Sequence, residues 1–243
     1  MGNSIFAISV ERFPESISIA LLLHIAIASS LGVICFTSIS SIRTHLKLKN
    51  VNFIILRTWV PGIVLGSLAG SYSASIISGE VLVNIFICLA FLIALNMAFQ
   101  RDPIIISTDI PKSKFINLII SSLIGFMSVL IGIGGGSFSV PTLTMFSKKI
   151  HEAVGTSATL GFFIAFPGAI ILIISGSNID VLPPLSFGYL NIAIVVLVSS
   201  TSIFTANLGA KVSVNVNKVT LRRIFSIFLL FTCISLIIEH YII

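Results

Sequence analysis

Three consecutive glycines stand between two strongly apolar stretches, in Gly132-Ile-Gly-Gly-Gly-Ser-Phe-Ser-Val-Pro141. A helix that crosses lipid satisfies its own backbone groups, so a break at membrane depth survives only when it is buried in protein or lines a wet cavity. Gly134, Gly135 and Gly136 therefore read as the turn of a broken helix at a transport site. The competing reading is a smooth patch for close helix packing. Packing needs small residues but not three in succession, which favours the turn.

Successive glycines let a ligand approach backbone N–H groups closely and permit the alternating dihedrals of an anion-binding nest. If a half-helix starts just after them, at Ser137 or Ser139, its free N–H groups and positive dipole end point into the same gap. Secondary transporters aim such helix ends at the charged groups of their substrates near the midplane, so the pattern suits a small anion. Ser137 and Ser139 either add hydroxyl donors or bond back to the preceding turn. Pro141 closes the stretch.

Composition supplies the lipid. The chain has 243 residues, 56% hydrophobic and 9% charged, with a mean hydropathy of +1.14. Apolar runs of about twenty residues recur along its length, as a bilayer about 30 Å thick requires. The expected fold is all-α, a polytopic transmembrane helical bundle without a separate soluble domain. The net charge of +6 lies in short loops between apolar runs, where membrane topology explains it better than nucleic acid does. Cys35, Cys88 and Cys233 are isolated within apolar segments and read as small buried hydrophobes rather than as a disulfide framework or zinc site. No metal-ligand cluster or cofactor motif is evident. Scattered hydroxyls do not make the nucleophile and base that an intramembrane enzyme needs, so no enzyme is expected. The N-terminal residues lack the basic region and cleavage site of a signal peptide, and no processing is expected.

The apolar spans fall at 16–42, 53–77, 81–99, 115–133 leading into the glycines, a short piece at 141–146, then 153–175, 185–208 and 219–239. That is about seven spans, counting the broken helix as one hairpin. Residues 1–99 read as a first repeat, 100–114 as a cytoplasmic linker, and 115–243 as a second repeat. In 53–77, Gly62, Gly66 and Gly70 recur every fourth residue and form one smooth packing face. Lys and Arg mark cytoplasmic loops, which places Arg43, Lys47 and Lys49, then Arg101, Lys112 and Lys114, then Lys211, Lys218, Arg222 and Arg223 inside. The connections at 78–80 and 176–184 have no basic residue and belong outside. Lys148 and Lys149 must then also be inside, so 115–146 enters and leaves on one face and has to turn within the membrane near Gly134 to Gly136.

A faint internal repeat supports this layout. His24-Ile-Ala-Ile-Ala-Ser-Ser30 lines up with His151-Glu-Ala-Val-Gly-Thr-Ser157 at an offset of 127 residues, and Gly70 lines up with Gly209 at 139. The paired spans run in opposite directions, and inverted repeats of this kind place the substrate site at their interface. Ser29, Ser30, Thr156 and Ser157 occupy matching places and supply hydroxyls either to a substrate or to helix packing. His24 sits inside a span, where it either carries a coupling proton or is a hydrogen-bonded packing residue. Asn96 and Asn207 are interhelical partners or pathway residues; Glu80 and Glu239 are expected to be wet. Trp59, beside Arg57, reads as an interfacial anchor.

These residues resemble the TauE/SafE sulfite exporter family of membrane permeases. Gly132-Ile-Gly-Gly-Gly136 with Pro141 and Leu143, followed by Val154-Gly-Thr-Ser157, is similar to its second-half signature. Ala28-Ser-Ser-Leu31 with Phe36-Thr-Ser-Ile-Ser-Ser41, then Pro61-Gly-Ile-Val-Leu-Gly66, is similar to its first-half pattern. The resemblance implies a multi-pass protein of the cytoplasmic (inner) membrane that moves a small, often sulfur-containing anion such as sulfite or an organosulfonate. Its partners are then that anion and the lipid bilayer. The family also opens with a glycine-rich first helix, whereas Ile5 to Ser9, opposite the glycines at the repeat offset, contain none. A short variant, a homo-oligomer whose second copy completes the pathway, and a truncated or accessory subunit are the expectations this departure leaves open.

Overall fold

The computed structural model describes residues 19–99, 105–179, 181–215 and 218–241. These form α1 (Ile19–Lys47), α2 (Phe53–Ile76), α3 (Gly79–Phe99), α4 (Lys114–Ile131), α5 (Gly136–Met145), α6 (Ile150–Ser175), a hairpin of β1 (Ser186–Phe187) and β2 (Leu190–Asn191), α7 (Ile192–Asn215) and α8 (Lys218–Tyr241). Helices α1, α2, α4 and α6 are long and apolar enough to cross a bilayer, and α3, α7 and α8 contain shorter apolar stretches. The chain is thus an all-α polytopic bundle. Residues 5–9, and the side chains of Asn96, Asn207 and Glu239, lie outside what is described.

Two expected boundaries move. Helix α1 continues past 42 to Lys47, so Arg43 and Lys47 ride on its last turns, where cations are favoured by the helix dipole. The span expected at 185–208 starts instead at Ile192. Leu185 and Gly188 take positive φ of 64° and 55°, and the chain pairs Ser186 with Asn191 before the helix begins. Gly188 is required there by space as well as by φ, because a Cβ would collide with the Ile173 carbonyl of α6.

Helices α2 and α4 pack through the glycine face that the sequence pattern marks. A Cβ on Gly62 would run into the Ser121 hydroxyl, one on Gly66 into the Ser122 carbonyl, and one on Gly70 would stand 2.8 Å from the Phe126 carbonyl oxygen. Gly125 answers from α4, where a Cβ would strike the Ile63 carbonyl. With lipid as apolar as the side chains, such backbone proximity and its van der Waals contact drive association. Trp59 departs from its expected role. It is fully buried at this crossing, and its Nε1–H donates to Asn117 Oδ1 at 2.9 Å. The Asn117 amide in turn donates to the Ser113 carbonyl at 2.9 Å. A buried indole ordinarily finds a partner for its N–H, and Asn117 is that partner here.

The α4–α5 hairpin returns to the end from which it started. Ile106 N–H, in the segment that leads into α4, donates to the Met145 carbonyl at the end of α5 at 2.9 Å. Ser147 Oγ donates to the Ser107 carbonyl at 3.1 Å, and Lys148 Nζ meets Asp109 Oδ1 at 2.6 Å. That ammonium holds the exposed Asp109 carboxyl below its ordinary range. The arms are uneven: at 1.5 Å per residue α4 rises about 27 Å and α5 descends about 15 Å.

Gly66→Ala is expected to lower the unfolding temperature in detergent, because forcing a methyl against the Ser122 backbone costs about 1–3 kcal/mol. Gly136→Ala, with nothing within 4 Å of the added carbon, is expected to leave it unchanged. Equal unfolding temperatures for the two variants would contradict the packing described.

Candidate functional site

Helix α4 stops because Gly132 turns left-handed, with φ of 65°. Its N–H closes on the Val129 carbonyl at 2.9 Å, and that of Ile133 on the Ser128 carbonyl at 3.1 Å. The first closure of α5 is Ser139 N–H to the Gly135 carbonyl at 2.8 Å. Between these points the N–H groups of Gly134, Gly135, Gly136, Ser137 and Phe138 have no acceptor among the described residues. A helix start ordinarily leaves its first N–H groups open, and no side chain caps this one. Pro141, inside α5, lacks the N–H that would reach the Ser137 carbonyl.

The expected nest of alternating dihedrals is not what opens these groups. Among Gly132 to Gly136 only Gly132 is left-handed, and Gly135 is already helical at φ −52° and ψ −14°. The middle glycine, Gly135, serves proximity instead. A Cβ on Gly135 would stand 2.7 Å from Ile164 Cδ1 and 3.4 Å from both Gly161 N and Ser139 Oγ. From α6, a Cβ on Gly161 would stand 3.6 Å from Gly135 N and 3.5 Å from Ser38 Oγ of α1. Ile34 faces Gly134. The turn is therefore wedged between α1 and α6, walled by Ile34 and Ile164. Gly135 is buried while Gly136 is exposed, so the cradle opens on the Gly136 side.

The hydroxyls divide into two groups. Ser30 Oγ donates to the Gly132 carbonyl at 2.7 Å and so fixes the end of α4. Ser29 Oγ accepts from Asn191 N–H at 3.0 Å, and Thr156 Oγ1 accepts from Asn52 N–H at 3.0 Å. These last two bonds are equivalent: Ser29 and Thr156 are 127 residues apart, Asn52 and Asn191 are 139 apart. Each Asn also caps its own helix, Asn52 Oδ1 accepting from Ile54 N–H at 2.9 Å and Asn191 Oδ1 from Ile194 N–H at 3.1 Å. Gly155 completes the lower contact, since a Cβ there would collide with the Asn50 carbonyl. In contrast, the hydroxyls of Ser128, Ser139 and Ser157 are buried without a hydrogen-bond partner among the described residues. Ser139 lies on the first turn of α5, and Ser157 lies one turn before Gly161 on α6.

His24 is held elsewhere. Its Nε2 is 2.9 Å from the Ala74 carbonyl oxygen, and its ring stacks on Tyr189 with centroids 5.0 Å apart. An apolar groove of about 560 Å³ between α2 and α4 shares no lining residue with the turn. Sequence reasoning missed Asn52, Asn191, Ser38 and Gly161. The two asparagines carried a readable signal, because their separation repeats the Gly70 to Gly209 offset. Ser38 lies inside the Phe36 to Ser41 motif, which attaches no role to it, and Gly161 is a single small residue in an apolar helix with no pattern to mark it.

Residues 14–236 match the family model described as sulfite exporter TauE/SafE. A probable membrane transporter protein of Haemophilus influenzae is 31% identical over 237 residues, which is 97% of this chain and 87% of that one. One from Methanocaldococcus jannaschii is 30% identical over 212 residues, covering 83% of this chain and 74% of its own length. A third, from Bacillus subtilis, is 30% identical over 173 residues, 63% of each chain. No solved structure matches the chain at a significant level.

The paired asparagine contacts predict matched losses. Thr156→Val and Ser29→Ala each leave a backbone N–H without its acceptor, which costs about 1–3 kcal/mol when the group is buried. Both variants are expected to unfold at lower temperature in detergent, and Thr156→Ser is expected to recover most of the loss.

Proposed function

Because the chain belongs to the sulfite exporter TauE/SafE family, we propose that it is a permease of the cytoplasmic membrane whose α4–α5 turn binds a small, sulfur-containing anion. The protein is a membrane transporter; the anion, the location and the cycle are our reading. The observation that carries it is the row of five N–H groups from Gly134 to Phe138 without acceptors among the described residues. A half-helix start with open donors offers an oxyanion both hydrogen bonds and the positive dipole end. Ser139, wholly buried and unpartnered, adds a hydroxyl donor beside Gly135.

The chain is read as two inverted repeats with the site between them, which suits alternating access. The equivalent bonds from Asn52 to Thr156 and from Asn191 to Ser29 support that reading, because each joins one half to the other. So does the helix pairing: α2 packs on α6 as α7 packs on α1. In this cycle Ser29 and Thr156 hold the halves together, while Ser137, Ser139 and Ser157 are left for the pathway. His24, bonded between α2 and the β hairpin, acts in packing rather than in proton coupling.

Gly161→Ala tests the site without breaking it. The added methyl makes ordinary contacts, yet it fills the space between Gly135 N–H and Ser38 Oγ. Sulfite efflux from proteoliposomes, above the leak of protein-free vesicles, is expected to fall by roughly tenfold or more, the equivalent of about 1.4 kcal/mol, with an unchanged unfolding temperature. Wild-type flux that persists undiminished in the variant would remove the turn from the pathway. A folded wild type without flux would point to an accessory subunit instead.

A further inference from the structure

We infer that the cradle takes its ligand as a monoanion and discriminates against doubly charged oxyanions of the same size. The inference rests on the anion-site reading above and adds a charge rule to it. The donors at the turn are all neutral: five backbone N–H groups and the buried, unpartnered hydroxyl of Ser139, which would be 3.4 Å from a Cβ on Gly135. Ser157, equally buried and unpartnered, lies on the same helix as Gly161. The walls, Ile34 and Ile164, are apolar.

No fixed positive charge is set against the turn among the described residues. Arg43 and Lys47 of α1, Lys114 of α4 and His151 of α6 are exposed. Lys148 is engaged by Asp109, and Glu152 accepts from the Asn52 amide at 2.6 Å. His24 is bonded at Ala74, His45 lies at the end of α1, and Cys35 packs against the core. The electrostatic source left is the start of α5, equivalent to about half an elementary charge. That complements one negative charge. The desolvation of an ion rises with the square of its charge, so a dianion loses about four times as much hydration as a monoanion. A neutral cradle does not return that loss.

Sulfite makes the rule testable, since its second proton leaves near neutral pH, whereas methanesulfonate stays singly and sulfate doubly charged. Uptake of labelled methanesulfonate into wild-type proteoliposomes, without a pH gradient, is expected to be equal at about pH 6 and about pH 8. Unlabelled sulfite is expected to compete at both, with its half-competing concentration roughly fivefold or more higher at the upper pH as the monoanion is depleted. Sulfate is expected not to compete at either pH, even at roughly tenfold excess over methanesulfonate. Sulfate competing as well as methanesulfonate, or sulfite competing better at the higher pH, would overturn the charge rule and leave the transport reading standing. No uptake of methanesulfonate combined with no binding of any of the three anions, read as thermal stabilisation of the folded protein, would overturn both.

Discussion

A backbone N–H away from water has to find an acceptor, and leaving one unmade costs about 1–3 kcal/mol. Past its first turn, each helix meets that demand through its own ladder. The stretch from Gly134 to Phe138 does not, and the surrounding architecture is arranged so that it can remain open. Ser30 holds the last carbonyl of the α4 end, the strap through Ile106 and Asp109 anchors the far end of α5, and Gly161 keeps a side chain from closing over Gly135. Each of these contacts fixes backbone rather than ligand. In the proposed site the donors are thus held by protein contacts before anything binds, which limits the ordering that binding has to impose.

The turn is also tied to the close crossing of α2 and α4. The crossing is built of glycines on one side and Ser121, Ser122 and Gly125 on the other, with the Trp59–Asn117 pair at its base. Ser67 of α2 donates to the Ile164 carbonyl at 2.6 Å, and Ile164 is the wall of the cradle. The small-residue face is thus connected to the candidate site through the bond from Ser67 to Ile164.

The sequence made the broken helix legible because three glycines in an apolar run conflict with any continuous span. Loop charge reached the same hairpin independently, and the strap bonds join both its ends. Ser30 was singled out by its place in the repeat, and its bond to Gly132 ties it to the turn. What was not legible followed from chemistry that a one-dimensional pattern does not carry. Trp59 beside Arg57 looks interfacial until Asn117, fifty-eight residues away, is seen to satisfy its indole. The β hairpin was hidden inside an apolar run, since Leu185, Phe187 and Leu190 look like helix until Leu185 and Gly188 turn to positive φ. The nest dihedrals were expected from glycine's freedom, whereas Gly135 is needed for the absence of its side chain.

For an alternating cycle, the polar bonds between the halves matter more than their number suggests. The Asn52 and Asn191 N–H groups each reach a hydroxyl of the opposite half, and each belongs to a residue whose side chain already caps a helix. The cap keeps its helix start intact whether or not the N–H bond across the interface is made. One bond can therefore open without unravelling the helix it borders, and an opened N–H beside a hydroxyl is readily satisfied by water admitted on that side. Between the two, α1 and α6 meet near the turn through bare glycine backbone and isoleucine walls, so that in the proposed cycle their sliding leaves no charged group stranded. An arrangement with a strong ion pair at either position would resist that exchange, because separating buried charges leaves each one uncompensated. Neutral, reciprocal, water-replaceable bonds at the two equivalent places suit the symmetric exchange between inward and outward openings that we propose.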